Sequence, residues 1–440
     1  MNYFLARKNF YKIVFASVFI VVAIFTVPAQ DEITLSRSSV VSMITIYPGD
    51  RIYSVFGHSA FRVYDPVNDI DWMYNYGTFN FSDDHFVLKF IEGRLDYYLS
   101  IGSFERALRF YYLVERRKVF EQVLDFDLKQ RQALFEFLEE NGRPENRVYR
   151  YDFIWDNCAT RITDAIDRVF PGLVDYSAYK APEKSFRKML IPYLGENPFT
   201  NFGIQLVLGR VTDRIPIGHE IFFLPLYMKE AFSEAVMKTD GSGTTPLVIR
   251  ESVLADPGRI FNKKPDYPLF IFLSILIIYF ASLVFQYRKN RGNKNFAISK
   301  ISGIVSTLCE GFIFLFTGII GLLITYLWFF SHHSVTGSNF NYLWCTPLSL
   351  ILFVGIFLKK KTSVRKMFLF ASNLSLIMCA AYLICIAAGA QYALPSFFPI
   401  VIFLTIAALR KIYITCQEGN CPIYAALVVR RKSTGGSAKK

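Results

Sequence analysis

One cysteine in this chain stands apart from the others, and its position favours a nucleophilic role. Cys158 lies in the motif DNCATRI (156–162), whereas the other six cysteines all follow residue 300. A cysteine thiolate can attack an ester or amide carbonyl when a base within hydrogen-bond reach takes the thiol proton. The chain therefore needs a suitable base near Cys158 if this thiol is to transfer acyl groups.

His58 is the base that we select from the three histidines before residue 266. It lies in FGHSAFRV (56–63), at the head of a predicted strand and beside a glycine that permits close backbone approach. His85 lies in a charged stretch that is expected to form a solvated loop, and His219 has no evident partner. A lone strand histidine is more often structural than catalytic, so the pairing with Cys158 is what supports His58.

The predicted helix start at Cys158 adds to this interpretation. Asp156 and Asn157 are residue types that cap helices, and Pro171-Gly172 would end the helix that follows. The N–H groups and the dipole at a helix N-terminus stabilise a thiolate and can also hold an oxyanion. We therefore predict a lowered pKa for Cys158. The alternative is that Cys158 is a buried and inert residue.

The segment from 30 to 266 has the pattern of an α+β domain. β-favouring runs at 42–47, 59–64 and 72–76 predict strands, and residues 148–153 alternate like another strand. Residues 128–140 have helical periodicity and precede Asn141-Gly142, which we predict as the helix C-cap. This order places a histidine on a strand first and a cysteine at a helix start later.

The composition places the rest of the chain in a membrane. The 440 residues are 52% hydrophobic and 19% charged, whereas ordinary soluble domains are about 45–50% apolar and about 25% charged. The net charge of +13 is concentrated beyond residue 266, between apolar runs rather than on a folded domain, which argues against nucleic-acid binding. The apolar runs that we predict as spans are 267–285, 312–330, 343–358, 367–388 and 397–409.

The charge pattern also predicts the orientation of these spans. Basic clusters follow the first, third and fifth runs, whereas the loops 331–342 and 389–396 contain no Lys or Arg. The positive-inside rule therefore places the clusters in the cytoplasm. Arg7, Lys8 and Lys12 precede an apolar run and VPA (27–29), which predicts a secretory signal, with an uncleaved anchor as the alternative.

These observations predict four regions. Residues 1–29 form the signal or anchor, and residues 30–266 form the extracytoplasmic domain that holds the cysteine and histidine. Residues 267–411 form the membrane domain, and 412–440 form a cytoplasmic tail.

The order of histidine before cysteine reverses that of papain and resembles the circularly permuted papain-like group, which includes NlpC/P60-related and lecithin:retinol acyltransferase-like enzymes. Four stretches carry a closer resemblance: PGDRIYSVFGHSAFRVYDP (48–66), YNYGTF (74–79), NGRPENRVYRYDF (141–153) and DNCATRI (156–162). Together they resemble the periplasmic domain of the Lnb-type lipoprotein N-acyltransferases of Bacteroidetes. The loop SHHSVTGSNFNYLWCTPL (331–348) is similar to that family's membrane half, although Ser331-His332-His333 stands where an Asp-His pair is expected.

The resemblance covers most of the chain and implies a fold. The fold is an α+β extracytoplasmic domain of the permuted papain-like type, followed by an α-helical membrane domain of about five spans. The resemblance also implies a location, the bacterial inner membrane, with the catalytic domain in the periplasm and the C-terminus in the cytoplasm.

The chemistry implied by the resemblance is acyl transfer from a membrane phospholipid to the α-amino group of the lipidated N-terminal cysteine of a diacylated lipoprotein. Cys158 would form a thioacyl-enzyme, and His58 would move the protons. Asn75 would orient the imidazole, with Asp65 as the alternative. We expect no cofactor, no metal and no nucleic-acid partner.

Several further polar residues are predicted to contact substrate. Arg161, three residues after the cysteine, is a candidate contact to a lipid phosphate, with a solvated position on the helix surface as the alternative. His332 and His333 are adjacent and would point apart on an extended chain, with no acidic or cysteine ligand nearby, so they do not predict a metal site. The full set of candidate substrate contacts is Tyr76, Arg62, Asp156, Asn157, Arg161, His332, His333, Asn339 and Asn341.

Two other functions remain open at this point. A cysteine peptidase or amidase of the NlpC/P60 type, acting on the cell envelope, would use the same pair of residues but would not need five spans. A non-enzymatic membrane assembly protein would keep Cys158 buried and inert.

Overall fold

The computed structural model describes residues 33–80, 82, 84–239, 243–290, 296–358 and 362–417. The predicted signal or anchor at 1–29, most of the predicted tail and parts of the basic connectors lie outside these described residues.

The first part of the described chain is built on an antiparallel sheet of seven strands, in the order β10-β5-β1-β2-β3-β4-β6. A second sheet has the order β7-β8-β9. The strand bounds are β1 Val40–Ile46, β2 His58–Asp65, β3 Ile70–Thr78, β4 Asp96–Ser103, β5 Val119–Leu124, β6 Val148–Arg150, β7 Val174–Asp175, β8 Val236–Lys238, β9 Thr244–Pro246 and β10 Val248–Ala255.

Helices pack on this sheet, and further helices form the second half of the chain. The helix bounds are α1 Phe86–Glu92, α2 Phe104–Arg109, α3 Leu128–Gly142, α4 Cys158–Val169, α5 Phe186–Leu194, α6 Pro198–Val207, α7 Pro225–Glu234, α8 Tyr267–Asn290, α9 Phe296–Phe329, α10 Leu348–Phe357, α11 Thr362–Ala387 and α12 Phe398–Gln417. A π-helical turn, Phe110–Val114, continues α2.

The predicted elements of this domain are confirmed, with small shifts at their ends. The three predicted strands are β1, β2 and β3, while the strand predicted over 148–153 is shorter, because β6 ends at Arg150. The predicted C-cap at Asn141-Gly142 is wrong: α3 includes Gly142, and Arg143 is its C-cap in an extended conformation. A turn follows directly after the helix, and in it Arg147 N–H donates to Arg143 O. The helix therefore ends without a glycine in the left-handed conformation.

One core joins α4 to the sheet. Ile162 and Ile166 on α4 are fully buried and lie in the same cluster as Phe61 of β2 and Tyr74 of β3. Alternation along a strand sends neighbouring side chains to opposite faces. Ala60 of β2 accordingly belongs to a separate cluster with Phe104 and Val119. The sheet is therefore covered on both faces near the start of β2.

The second part of the described chain contains five helices long and apolar enough to cross a membrane. This number matches the prediction, whereas the edges differ from the apolar runs. The second candidate span begins twelve residues earlier than its run, and the third includes a 3₁₀ turn before α10. The five candidate spans are Tyr267–Arg288, Lys300–Phe329, Phe340–Phe357, Arg365–Ala387 and Pro395–Thr415.

The loop between α9 and α10 packs against the extracytoplasmic domain. Asn339 Nδ2 donates to Leu206 O at 2.8 Å, and Gly209 N–H donates to Val335 O at 2.7 Å. A Cβ on Gly209 would lie 1.8 Å from the carbonyl oxygen of Gly337, so only glycine permits this approach. The two halves of the chain are thus joined by hydrogen bonds to backbone carbonyl groups and by a close backbone approach at this loop.

Candidate active site

The N-terminus of α4 fixes Cys158 in place. Cys158 is the first residue of the helix, and Asn157 is its N-cap. Asn157 Oδ1 accepts from Ala159 N–H at 2.8 Å and from Thr160 N–H at 3.1 Å. Its Nδ2 donates to Phe153 O and Phe223 O, so both ends of the Asn157 amide are used in holding the helix start. The first helical N–H groups have no partner within the helix, and the Cys158 N–H is one of them.

His58 lies at the first position of β2 and is hydrogen-bonded to the next strand. Its Nε2 is paired with Oδ1 of Asn75 on β3 in a short contact. An amide oxygen only accepts hydrogen bonds, so Nε2 carries the proton and Nδ1 keeps its lone pair. Asn75 therefore selects the tautomer in which Nδ1 can act as a base.

Gly77 brings the cysteine and the histidine to one place. Between Asn75 and Thr78 the pairing of β3 with β4 is irregular, and Gly77 has a φ of +89°, which side chains other than hydrogen rarely allow. A Cβ on Gly77 would lie 3.6 Å from Cys158 Cβ and 3.9 Å from His58 Cε1. The structure therefore brings Cys158, His58 and Asn75 together around one bend in the sheet.

Burial decides the protonation of both groups. It raises the pKa of Cys158 from 9.0 to about 11, although backbone N–H groups, among them that of Ser59, and the charge of Arg117 act in the opposite direction. Burial and the charge of Arg117 lower the pKa of His58 from 6.5 to about 4. The expectation of a lowered cysteine pKa is wrong, because desolvation outweighs the helix N-terminus. At neutral pH the thiol and the imidazole are both uncharged.

Arg117 is a buried cation next to this pair. Its guanidinium donates to the carbonyl oxygens of Tyr47 and Ile46 and pairs with Glu115 at 2.7 Å. Ile46 is the partner of His58 in the β1–β2 ladder. Arg117 therefore ties down the strand end that carries His58 and places a fixed positive charge near the site.

Tyr149 contributes a buried hydroxyl to the same place. Its Oη lies 3.9 Å from the Cβ position of Gly77, beside Cys158 and His58. This oxygen is buried and has no hydrogen-bond partner among the described residues. An unpartnered buried hydroxyl is costly, and such groups are rare without a ligand or water to satisfy them. Tyr149 was not among the predicted site residues, although it lies within one of the motifs that carry the family resemblance.

Arg161 holds Tyr149 in position. Its guanidinium lies 3.8 Å from the centre of the Tyr149 ring and 5.9 Å from that of Tyr76. Asp156 binds the other side of the guanidinium, with Arg161 Nη2 2.7 Å from Oδ2. Three of the predicted substrate contacts, Tyr76, Asp156 and Arg161, are therefore next to the site but are occupied with one another and with Tyr149.

Two residues considered for the site lie elsewhere. Arg62, further along β2, forms ion pairs with Asp71 at 2.7 Å and Glu121 at 2.9 Å and is not brought to Cys158. Asp65 is at the opposite end of β2 from His58, where its carboxylate accepts from Ser36 and Asn68. Asp65 is therefore wrong as the alternative partner of the imidazole, because the strand separates the two residues.

The predicted residues of the α9–α10 loop make structural contacts. His332 N–H donates to Glu92 O at 2.8 Å, and His333 Nε2 lies 2.9 Å from Phe90 O. Asn339 and Asn341 are buried, and both donate to the backbone of α6. The structure thus places these four residues at the contact between the two halves of the chain rather than beside Cys158.

A contact that the sequence analysis missed connects the same loop to the cysteine. Ser334 donates to Asp152 Oδ2 at 2.6 Å. Asp152 Oδ1 accepts from the N–H groups of Ile154 and Trp155, at 2.9 Å each, in the turn before Cys158. The membrane domain therefore supports the loop that leads to the nucleophile. No sequence signal links two residues so far apart in the chain.

His219, for which the sequence shows no evident partner, pairs with a carboxylate. His219 Nδ1 lies 3.1 Å from Asp167 Oδ2, which raises the pKa of His219, and the pair is on the surface of α4 away from its N-terminus. Within the described ranges, no three His, Cys, Asp or Glu side chains are grouped so that they could hold a metal ion.

The fold and this site define a membrane protein with an α+β domain outside the bilayer, in which a cysteine at a helix start meets a histidine and an amide at the end of a sheet. The chain belongs to the Lnb family. A family model for the Lnb N-terminal periplasmic domain matches residues 27–190, and one for the Lnb transmembrane domain matches residues 261–419. Comparison with curated proteins and with solved structures gave no match.

Family membership gives the location and the general function. The protein is an inner-membrane protein with a periplasmic N-terminal domain, and its family places it among membrane enzymes related to lipoprotein modification. The predicted family and the predicted combination of an α+β domain with five helices are confirmed. The permuted papain-like assignment and the domain boundaries stay predictions.

Proposed function

We propose that this protein is a lipoprotein N-acyltransferase that moves a fatty acyl chain from a membrane phospholipid to the α-amino group of a diacylated lipoprotein. The observation that carries the proposal is the meeting of Cys158, His58 and Tyr149 around Gly77, in a domain that rests on five candidate spans. Nucleophile, base and hydroxyl are the parts that acyl transfer through a thioester needs. The spans hold these parts next to a substrate that lies in the bilayer.

The first half-reaction begins with both groups uncharged. His58 Nδ1 takes the thiol proton as Cys158 Sγ attacks the carbonyl carbon of the phospholipid ester. The tetrahedral intermediate collapses, the ester C–O bond breaks, and the imidazolium gives its proton to the departing glycerol oxygen. The products are a thioacyl-enzyme and a lysophospholipid, with no change in net charge.

The second half-reaction regenerates the thiol. The α-amino group of the lipoprotein attacks the thioester carbonyl, and His58 takes a proton from the nitrogen. The C–S bond breaks, the amide N–C bond remains, and the proton passes to the Cys158 sulfur. In each half-reaction His58 first accepts a proton and then donates it. Its imidazole must therefore be neutral at the start of each half-reaction. Its low pKa fits this requirement.

The oxyanion formed in each half-reaction needs hydrogen-bond donors. We assign this role to the Tyr149 hydroxyl and the Cys158 N–H. The first has no partner among the described residues, and the second has none within its helix. Donors placed in advance in a site shielded from water stabilise the developing charge without reorganisation. Arg161 and Asp156 then act as positioning residues for Tyr149, rather than as contacts to a lipid phosphate.

The orientation in the membrane follows from the number of spans. Within the described residues the periplasmic domain precedes five candidate spans, and an odd number of crossings puts the end of α12 on the other side of the membrane. We propose that the C-terminus is cytoplasmic, in agreement with the basic clusters after the first, third and fifth spans. The regions proposed are 1–29 signal or anchor, 30–266 catalytic domain of permuted papain-like fold, 267–411 membrane domain and 412–440 tail.

A reconstituted transfer assay tests the proposal. The full chain in nanodiscs of phosphatidylethanolamine with an isotopically labelled acyl chain is mixed with a synthetic diacylated lipopeptide that has a free N-terminal cysteine amine. We expect labelled triacylated lipopeptide and an equal amount of lysophospholipid from the wild type, and neither from Cys158→Ser. Cys309→Ser, which changes a half-buried cysteine of α9, is the matched control and should behave as the wild type.

Two results would contradict the proposal. Hydrolysis of the peptide bond with no acyl transfer would identify a peptidase or amidase. Full transfer by Cys158→Ser would mean that the thiol is not the nucleophile and that the thioester mechanism is wrong.

A further inference from the structure

Helix α1 exposes apolar side chains that the protein core does not use. Val87, Leu88 and Phe90 are 66%, 51% and 50% exposed, and none of the residues of α1 is buried. These three side chains form the α1 surface. A seven-residue helix with this composition gains little stability by itself, because short helices depend on packing of an apolar face. Something outside the described chain should therefore cover it.

The contacts of α1 place it at the level of the bilayer surface. Its last residue, Glu92, accepts from Tyr326 Oη at 3.1 Å and, through its carbonyl, from His332 N–H at 2.8 Å. Tyr326 lies in the last turn of α9, followed by the exposed Phe329 and Phe330. Aromatic residues at the end of a span mark the membrane–water interface. Helix α1 is thus attached to a span at interface depth.

Aromatic contacts lead from α1 to the site. Phe86 of α1 stacks on Phe79 with ring centroids 5.9 Å apart, and Phe79 packs on Tyr97 at 5.2 Å. Phe79 comes two residues after Gly77, the residue around which Cys158 and His58 meet. An acyl chain that leaves the bilayer beside α1 would therefore find apolar contacts along its way to the nucleophile.

We propose that the α1 surface inserts into the periplasmic leaflet of the membrane and is the entry point for phospholipid acyl chains. The occupant is the hydrocarbon of the bilayer in which the five spans lie, and the argument is the continuity of this surface with the periplasmic end of α9. The role as an entry point rests on the proposed acyl transfer, whereas insertion into the leaflet does not.

Quenching by brominated lipid tests insertion without any need for turnover. The full chain carrying Leu88→Trp is placed in nanodiscs of phosphatidylcholine with bromine on the acyl chains. We expect more quenching than in the wild type, whose native tryptophans provide the background. Val67→Trp is the matched control, since Val67 is 71% exposed in the turn at the far end of β2 and should add unquenched fluorescence. Val87→Trp repeats the test at a second position of the α1 surface.

The outcomes separate this inference from the proposed function. If Leu88→Trp and Val87→Trp are no more quenched than Val67→Trp, insertion is refuted, whether or not the protein transfers acyl groups. Quenching that appears only after addition of a lipopeptide with brominated chains would also overturn it, because the surface would then bind the acceptor.

A charge on the surface tests its role in donor entry. Leu88→Asp should lower the rate of lysophospholipid release from nanodiscs by about tenfold, the effect expected for loss of a buried leucine. Val67→Asp should leave that rate unchanged. An unchanged rate for a correctly folded Leu88→Asp protein would refute the entry role, even if quenching shows insertion. Absence of any release by the wild type would instead count against the proposed function.

Discussion

His58 Nε2 donates its proton to Oδ1 of Asn75, and this one contact between β2 and β3 sets the direction in which the imidazole can act. The bond places the proton on the nitrogen away from the reaction and leaves Nδ1 as the acceptor. It also holds the ring beside Gly77, where Cys158 lies. The mechanism that follows uses a neutral base and a neutral thiol rather than a preformed ion pair.

Removal of the Asn75 amide should slow the reaction without unfolding the protein. We expect Asn75→Ala to lower the rate of Cys158 acylation by about tenfold to a hundredfold, because the imidazole loses its tautomer and orientation. Asn75→Asp keeps an oxygen acceptor and should recover part of the rate. Single-turnover acylation with labelled phospholipid measures both. A wild-type rate for Asn75→Ala would show that Asn75 does not position the base.

The Tyr149 hydroxyl should matter for rate but not for stability. Tyr149→Phe removes a buried group that has no partner in the described chain, so the free energy of unfolding should stay the same or rise. The rate should fall by about a hundredfold, as for loss of an oxyanion donor. Tyr176→Phe is the control, because Tyr176 Oη is likewise buried and unpartnered in the described structure but lies beside His219. Equal rates for the two variants would contradict the assignment.

The reactivity of Cys158 should rise steadily with pH. The raised pKa of about 11 means that only a small fraction is thiolate at pH 7, and this fraction grows tenfold with each pH unit below the pKa. The imidazole, with a pKa of about 4, stays neutral over the same range and adds no step. Alkylation by iodoacetamide, followed at the Cys158 peptide by mass spectrometry, checks this. A plateau from pH 5 to 8 would reveal a thiolate–imidazolium pair and contradict the description of the resting state.

The hydrogen bond from Ser334 to Asp152 should couple the membrane domain to the site. Ser334→Ala removes one hydrogen bond to a carboxylate, worth about 1 kcal/mol at an exposed position, and should slow acylation about fivefold. Ser274→Ala, which removes a bond within α8, is the control and should have no effect. The ratio of the two acylation rates in nanodiscs is the measurement. If both variants match the wild type, the loop does not support the site.

Local sequence was enough to predict where the main elements begin. Cap residues predict the start of α4 at Cys158, and β-favouring residues with a preceding glycine predict the start of β2 at His58. Asn75 could be selected because it lies on the strand that follows β2. Asp65 was a poor alternative, since His58 and Asp65 are the first and last residues of an eight-residue strand.

Properties that depend on packing could not be predicted in this way. The helix N-terminus alone predicts a more acidic thiol, but the sequence does not reveal that Cys158 packs against the buried core of the domain, where desolvation outweighs the effect of the helix N-terminus. Tyr149 becomes relevant only when β6 pairs with β4 and its ring packs under Arg161. Ser334 and Asp152 meet only because the two halves of the chain pack together.

The central claim is that Cys158 carries the acyl group, and its intact mass tests this most directly. The detergent-purified protein is incubated with phospholipid whose acyl chains are isotopically labelled, in the absence of an acceptor. We expect a mass increase of one labelled acyl group that hydroxylamine removes, with lysophospholipid in equal amount, and neither product from Cys158→Ser. If Cys158 is open to alkylation in the same sample and no adduct or lysophospholipid forms, the protein does not work through a thioacyl-enzyme.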